Sequence, residues 1–293
     1  MARIAIIGVG AIGSVIAALL QQSGRHEVIL CTRRPLPELL VETPNGPLQI
    51  HATVFTDPDT APAVDWVLVA TKAYDVDGAA RWLERLRTQG APVAVLQNGV
   101  EHRERFAPYV PTQSIVPVIV DCPAERRSPE RVIQRGTMYL KAQADDLGCA
   151  FVELFAGTPA DAVVVPDFVT VAWRKLCHNA VGVLPTLLLQ PSGVLRGEAL
   201  GDVARQLVRE CIAVGRAEGA TLDDEVVEAV LRAYRASPAD SINSLHADRL
   251  AGRAMELDAR NGVIVRMGKK HGIATPTNSM AVALLEAMAQ SAS

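Results

Sequence analysis

One stretch near the start of the chain, Ile4 to Leu20 (IAIIGVGAIGSVIAALL), restricts what the rest can fold into. A short apolar run, Ile4-Ala5-Ile6-Ile7, stops at Gly8. Gly8, Gly10 and Gly13 then stand in the spacing G-x-G-x-x-G, and Ala11 to Leu20 suit a helix. Strand, glycine turn and helix form the context in which this spacing points to dinucleotide binding. Gly8 permits a tight turn off the strand, Gly10 lets backbone approach a pyrophosphate, and Gly13 allows close helix packing. The segment Gly8-Val9-Gly10-Ala11-Ile12-Gly13 is therefore the expected phosphate-binding turn, with the helix N-terminus facing the anion. The same stretch is free of charge, as a signal peptide or membrane anchor would be. Three internal glycines, a lone preceding Arg3 and the absence of a cleavage signal argue against both.

A chain of 293 residues can bury a large core and is long enough for two domains. A net charge of −3 offers no electrostatic case for nucleic acid or an anionic membrane. Cys31, Cys122, Cys149, Cys177 and Cys211 are odd in number, far apart and without a C-x-x-C pair. They read as free thiols in a reducing cytoplasm, not as a disulfide framework or a zinc site, so no metal is expected.

After the glycine helix, His26 to Thr32 reads as a second strand. An NAD enzyme is expected to carry an acidic residue at its end, where it holds the ribose 2′-hydroxyl. This chain has Arg33 and Arg34 there. Arginine suits a 2′-phosphate through charge-assisted contacts, which points to NADPH; the alternative is a pair of solvated loop residues. Asp65 to Lys72 and Pro92 to Asn98 each contain an apolar run suited to a buried parallel strand, with a helix between them at Val76 to Thr88. Ligands of open α/β sheets sit beyond the carboxyl ends of the strands. Lys72 and Asn98 fall at two successive ends, as cofactor or substrate contacts or as plain loop residues. Further strands are expected at Ser114–Asp121, within Arg131–Lys141 and at Ala162–Val165, with a short helix at Phe151–Gly157.

From Asp167 onward the pattern is helical. In the first of these helices Lys175 and Asn179 stand at i and i+4 on one face, among Val171, Ala172, Leu176, Ala180 and Val181. A lysine in so apolar a helix either snorkels to water or lines a cavity. Pro185 is expected to kink the helix. Ser244 and Asp248 repeat the i, i+4 relation, and Glu256 falls near a helix start, where the dipole alone favours an acid.

Taken together, these residues resemble the ketopantoate reductase (2-dehydropantoate 2-reductase) family. The landmarks are GVGAIG at Gly8–Gly13, TKA at Thr71–Ala73, QNGV at Gln97–Val100, WRKL at Trp173–Leu176 with Asn179, SLHAD at Ser244–Asp248, and ELDARNG at Glu256–Gly262 followed by HGIATP. The resemblance implies NADPH-dependent reduction of a branched 2-oxo acid to a 2-hydroxy acid, on the route to pantothenate. It implies Lys175 as the general acid and Glu256 as its catalytic partner. Arg33 would hold the 2′-phosphate, Lys72 and Asn98 the nicotinamide end, and Asn98, Asn179, Ser244 and Asp248 the substrate. One departure is visible: where the family carries a second asparagine one turn beyond Asn179, this chain has Val183. A missing polar contact alters specificity strongly, so substrate identity is less secure than reaction type.

The expected fold class is α/β: a Rossmann domain over residues 1–167, with a doubly wound, mainly parallel sheet, and an all-helical substrate domain over residues 168–293. The active site is expected between them. The expected partner is a small 2-oxo acid, neither nucleic acid nor membrane, with a homodimer as the assembly to test. The competing functions are reduction of a different carbonyl substrate and non-catalytic NADPH sensing.

Overall fold

The computed structural model describes residues 1–290. It divides into two compact units, Met1–Phe168 and a second from Val169 onward.

The first unit is built on β1 (Arg3–Ile7), α1 (Ala11–Gln22), β2 (Glu27–Cys31), β3 (Leu39–Thr43), β4 (Gly46–Ile50), β5 (Thr53–Phe55), β6 (Trp66–Val69), α2 (Val76–Leu86), β7 (Val93–Val95), α3 (His102–Phe106), β8 (Ile115–Asp121), β9 (Ala124–Ser128), β10 (Arg131–Gln134), β11 (Tyr139–Gln143), α4 (Asp146–Glu153) and β12 (Asp161–Val165). Eight strands form one sheet in the order β12-β11-β8-β7-β6-β1-β2-β5. Every neighbouring pair is parallel except β8 with β11. Chain order reverses at β1: the strands run out to β2 and β5 on one side, then return to β6 on the other. That reversal is the dinucleotide-binding switch point of doubly wound sheets.

Why these runs become central strands is seen in how their side chains divide. Ile4, Ile6 and Leu68 enter one buried cluster with Ile16, Leu19, Leu20 and Phe151. Ala5, Ile7, Val67 and Val69 enter another, with Trp82, Leu83, Leu86 and Phe106. Alternation along a strand with both faces covered gives the continuous apolar runs of the sequence. Burying each larger side chain contributes about 1.5–3 kcal/mol. Pro117 in β8 is tolerated because β7 pairs only through Pro117 and β11 only from Val118.

Two parts of this unit differ from expectation. A second sheet, β4-β3-β10-β9, packs Leu39, Val41, Ile50 and Val132 into the cluster of α1. Its β3–β4 hairpin turns at Pro44-Asn45, with Gly46 at φ +117. The helix expected at 151–157 is α4, which starts five residues earlier. The Asp145 carboxylate accepts from Gly148 N at 2.7 Å and fixes that start, outweighing the apolar run that follows.

The second unit is helical: α5 (Phe168–Val181), α6 (Val183–Leu188), α7 (Glu198–Ala217), α8 (Glu225–Ala236), α9 (Ser244–Leu250), α10 (Val263–His271) and α11 (Pro276–Gln290), with a π-helical turn at Asp258–Gly262. The expected kink is a full break at Gly182. A proline ring clashes with the carbonyl four residues earlier, here Val181, where α5 ends. Nearby carbonyls find other donors. Gly182 O accepts from Asn243 Nδ2 at 2.9 Å and Thr186 Oγ1 at 2.8 Å, and Ala180 O accepts from Asn261 Nδ2 at 3.1 Å. Among the described residues no helix is long and apolar enough to cross a membrane.

Glu210 on α7 holds the start of α11. Its carboxylate is buried and accepts from Thr277 N (2.9 Å), Asn278 N (2.9 Å) and Asn278 Nδ2 (2.8 Å). Pro276 at the first helical position needs no partner for its nitrogen. Glu210→Ala leaves the buried Asn278 N–H unmet and strips the part-buried Thr277 N–H of its partner, while Asn278 Nδ2 keeps Leu207 O at 3.2 Å. The substitution is expected to destabilise the protein by about 3 kcal/mol. Denaturant unfolding checks this; an unchanged midpoint would remove Glu210 from the helix-start role.

Candidate active site

In the first unit the glycine turn lies at the switch point. Gly8 has φ +92, and its N–H donates to Cys31 O at 3.3 Å while Ala70 N donates to Ile7 O at 2.8 Å. A Cβ on Gly8 would stand 2.6 Å from Thr71 N. A Cβ on Gly13 would stand 2.1 Å from Gly8 O. Gly13 therefore serves the turn itself more than the sheet, whose nearest atom is Ala70 Cβ at 3.4 Å. A Cβ on Gly10 would meet nothing within 4 Å. So two glycines are packed against protein and one faces open space, as a backbone cradle for a pyrophosphate requires. Gly10 is also the N-cap of α1. It offers no side-chain cap, and the first turn, with Ala11 and Ile12, holds no acid. The helix start is thus left electropositive.

Two further loops end beside this turn. Gln97 bridges the loops after β6 and β7: its Nε2 donates to Thr71 Oγ1 at 2.9 Å and to Lys72 O at 3.1 Å. Gln97 O in turn meets His102 Nε2 at 2.8 Å. This buried amide fixes the chain at Lys72 and Asn98, both half-buried. Arg126 on β9 donates to Val9 O in the glycine turn and to Ser14 Oγ at 3.3 Å. Desolvation lowers its pKa. Sequence reasoning missed the bridging role of Gln97 and missed Arg126 altogether, because neither lies in the glycine motif. Arg33 and Arg34 are exposed just past β2. The nearest carboxylate to Arg33 is Asp75, at 3.8 Å, and Arg33 is 83% exposed. An exposed pair of that length is weak.

In the second unit Lys175 and Asn179 are half-buried on α5, beside the buried Trp173, Leu176, Cys177, Ala180 and Val181. Gly182 and Val183 continue that face; Val183 is fully buried. Glu256 is buried just ahead of the π-helical turn. Asn243 caps α9, with its Oδ1 accepting from His246 N at 3.1 Å, and its amide ties α9 to Gly182. Ser244 is exposed at the first position of α9. Asp248 is buried, and its Oδ1 accepts from Arg253 Nε at 2.9 Å. Burial raises three thiols: Cys31 and Cys122 are each pushed up to about 12, and Cys211, beside Cys177, is also raised.

Comparison with known proteins adds four findings. The chain matches the ketopantoate reductase PanE/ApbA family over residues 4–145 and the corresponding C-terminal family over residues 167–289. It is 51% identical over 289 residues to a 2-dehydropantoate 2-reductase of Caulobacter vibrioides, covering 99% of this chain and 100% of that protein. A PanE/ApbA family ketopantoate reductase structure from Ralstonia eutropha superposes with a TM-score of 0.89 at 31% identity, covering 99% of each chain. At the level of fold alone, D-mandelate dehydrogenase in complex with NADH and anilino(oxo)acetate superposes with a TM-score of 0.90 at 23% identity, covering 99% of each chain.

Proposed function

Because the chain belongs to the ketopantoate reductase family, we propose that it reduces 2-dehydropantoate to pantoate with NADPH. It is a nicotinamide-dependent oxidoreductase acting on a CH–OH group. The observation that carries the substrate is the 51% identity, over the full chain, with a 2-dehydropantoate 2-reductase.

When bound, the reduced dinucleotide supplies a hydride. The first unit contributes the cradle Gly8 to Gly13 for the pyrophosphate, with Lys72 and Asn98 toward the nicotinamide. The second unit contributes the groups that act on the carbonyl. The Lys175 ammonium donates a hydrogen bond to the keto oxygen, stabilises the charge that grows there, and releases a proton to it. Hydride on carbon and proton on oxygen together convert the ketone to the alcohol. Glu256 accepts from the new hydroxyl and fixes its orientation. Asn179 and Ser244 contact the rest of the substrate. Asp248, already engaged by Arg253, acts by holding the loop after α9.

A second substrate reading is favoured by Val183, which supplies no polar group where the family has an amide. Steady-state kinetics with 2-dehydropantoate beside simpler 2-oxo acids test it. The expected ranking puts 2-dehydropantoate first; a higher kcat/KM for another 2-oxo acid would replace the substrate but leave the reaction.

NADPH is inferred from Arg33 and Arg34 standing where an NAD enzyme has an acid. In the double variant Arg33→Ala, Arg34→Ala, KM for NADPH should rise by about tenfold or more, the scale of a lost charge-assisted contact. KM for NADH should hardly move. Equal rises for both cofactors would refute the phosphate assignment.

A further inference from the structure

Arg260 is a buried cation with no part in the reduction described above. It is 4% exposed, and its Nε and Nη1 have no hydrogen-bond partner. Glu256, Asp248 and Tyr234 act on it electrostatically, yet none accepts from those two nitrogens. A guanidinium removed from water with two donors unmet is costly unless something satisfies it. Nε and Nη1 lie on different edges of the fork, so a carboxylate that sets one oxygen on Nη1 and balances the charge of the whole group is the natural complement.

Its position says where that anion would be. Arg260 is carried by the π-helical turn Asp258–Gly262, in which Gly262 N reaches back five residues to Leu257 O at 3.0 Å. Such turns are rare and recur at functional sites. A Cβ on Gly182 would stand 3.3 Å from Arg260 Nη2. On a helix, positions 175, 179 and 182 share one face. The guanidinium therefore stands at the far end of the face that carries Lys175 and Asn179. Val183 follows Gly182 in the chain and supplies no polar group, where the resemblance implies one.

We propose that Arg260 binds the carboxylate of the 2-oxo acid, and so supplies from the π-helical turn a polar contact that α6 no longer provides. The inference rests on the proposed reduction of a 2-oxo acid and names the group that selects for its acid. A Cβ at 182 would also stand 3.1 Å from Asn243 Nδ2 and 3.2 Å from Asn179 O, so glycine there lets the guanidinium come close to the backbone.

The test compares 3-methyl-2-oxobutanoate with its neutral amide, at saturating NADPH, in the wild type and in Arg260→Met. Methionine keeps an extended side chain and removes the charge and the donors. The wild type should favour the acid. Arg260→Met should lose about a hundredfold in kcat/KM on the acid, mostly through KM, as expected for a lost contact to a charged group. Its activity on the amide should stay near wild type, which also shows that the variant is folded. In Arg260→Ala, added guanidinium ion should restore part of the activity on the acid only. Equal losses on acid and amide, or an unchanged preference for the acid, would overturn the assignment. So would a variant that loses only the advantage of 2-dehydropantoate over 3-methyl-2-oxobutanoate, since that would place Arg260 on the hydroxyl. If Arg260→Met does not fold, Arg260→Lys replaces it, with a smaller loss confined to the acid expected and an equal loss on both overturning. If the wild type reduces neither compound, 2-dehydropantoate and its neutral amide take their place, and a wild type inactive on all four defeats the proposed function and this inference together. A wild type that reduces both equally defeats this inference alone.

Discussion

Lys175→Ala should lower kcat by about 10²–10⁴-fold, the range that positioned acid catalysis supplies. The dissociation constant for NADPH should stay at its wild-type value. The buried residues Trp173, Leu176, Cys177, Ala180 and Val181 anchor α5, while Lys175 is only half-buried. Removing the lysine thus takes away a charged group and little packing, so the variant should remain folded. What disappears is the ammonium that polarises the carbonyl and delivers a proton to its oxygen. Lys175→Arg keeps a charge but presents a planar fork whose proton is not released, so it should not rescue turnover. Circular dichroism, cofactor fluorescence titration and steady-state kinetics on one preparation check the set. A kcat within tenfold of wild type would remove Lys175 from proton transfer.

Gly13→Ala and Gly10→Ala should fail in opposite ways. At Gly13 the added methyl would stand 2.1 Å from Gly8 O and 3.1 Å from Gly8 C, both backbone atoms of a turn held by its neighbours. Overpacking of this kind costs about 1–3 kcal/mol, and a clash with backbone belongs at the upper end. For a domain of this size about 3 kcal/mol lowers Tm by roughly 6–12 °C. At Gly10 the methyl meets nothing within 4 Å, so Tm should fall far less, through the N-cap preference alone. The methyl then occupies the space through which a pyrophosphate must approach, and cofactor affinity should fall about tenfold or more, as when a backbone contact to an anion is lost. Thermal melts with and without NADPH separate the two effects. If Gly10→Ala bound NADPH normally, the turn would not be the phosphate cradle.

The glycine turn was legible because its causes are local. A strand, three glycines and a helix lie within seventeen consecutive residues, Ile4 to Leu20. The β6 and β7 runs were legible because burial on both faces leaves an unbroken apolar string. The second sheet was not, for two different reasons. Its β3–β4 hairpin turns at Pro44-Asn45, not at the Asn45-Gly46 pair, so it lacks the two-residue Asn-Gly turn by which a hairpin is read from sequence. Strand β9, Ala124–Ser128, is mostly polar and charged and owes its state to pairing with β10. β10 in turn lies parallel to β3, some ninety positions away in the chain, a partnership that no window of sequence displays.

The site divides along the same line. Lys175 and Asn179 follow from helical spacing and the apolar surroundings of α5. Arg260 does not, since its burial depends on a π-helical turn that periodicity cannot foresee. Gln97 and Arg126 were hidden because each acts on backbone atoms of a different loop. The break at Gly182 was half-visible: Pro185 signalled a disturbance, but its place is set by the carbonyl four residues earlier.

The central claim is transfer of hydride from a reduced nicotinamide to the keto carbon of 2-dehydropantoate. It is tested most directly with NADPH deuterated at the transferable position, followed by mass spectrometry and NMR of the product. The expected result is pantoate carrying deuterium at C2, formed by the wild type and almost absent with Lys175→Ala. Pantoate without the label, or consumption of NADPH with no pantoate formed, would contradict it.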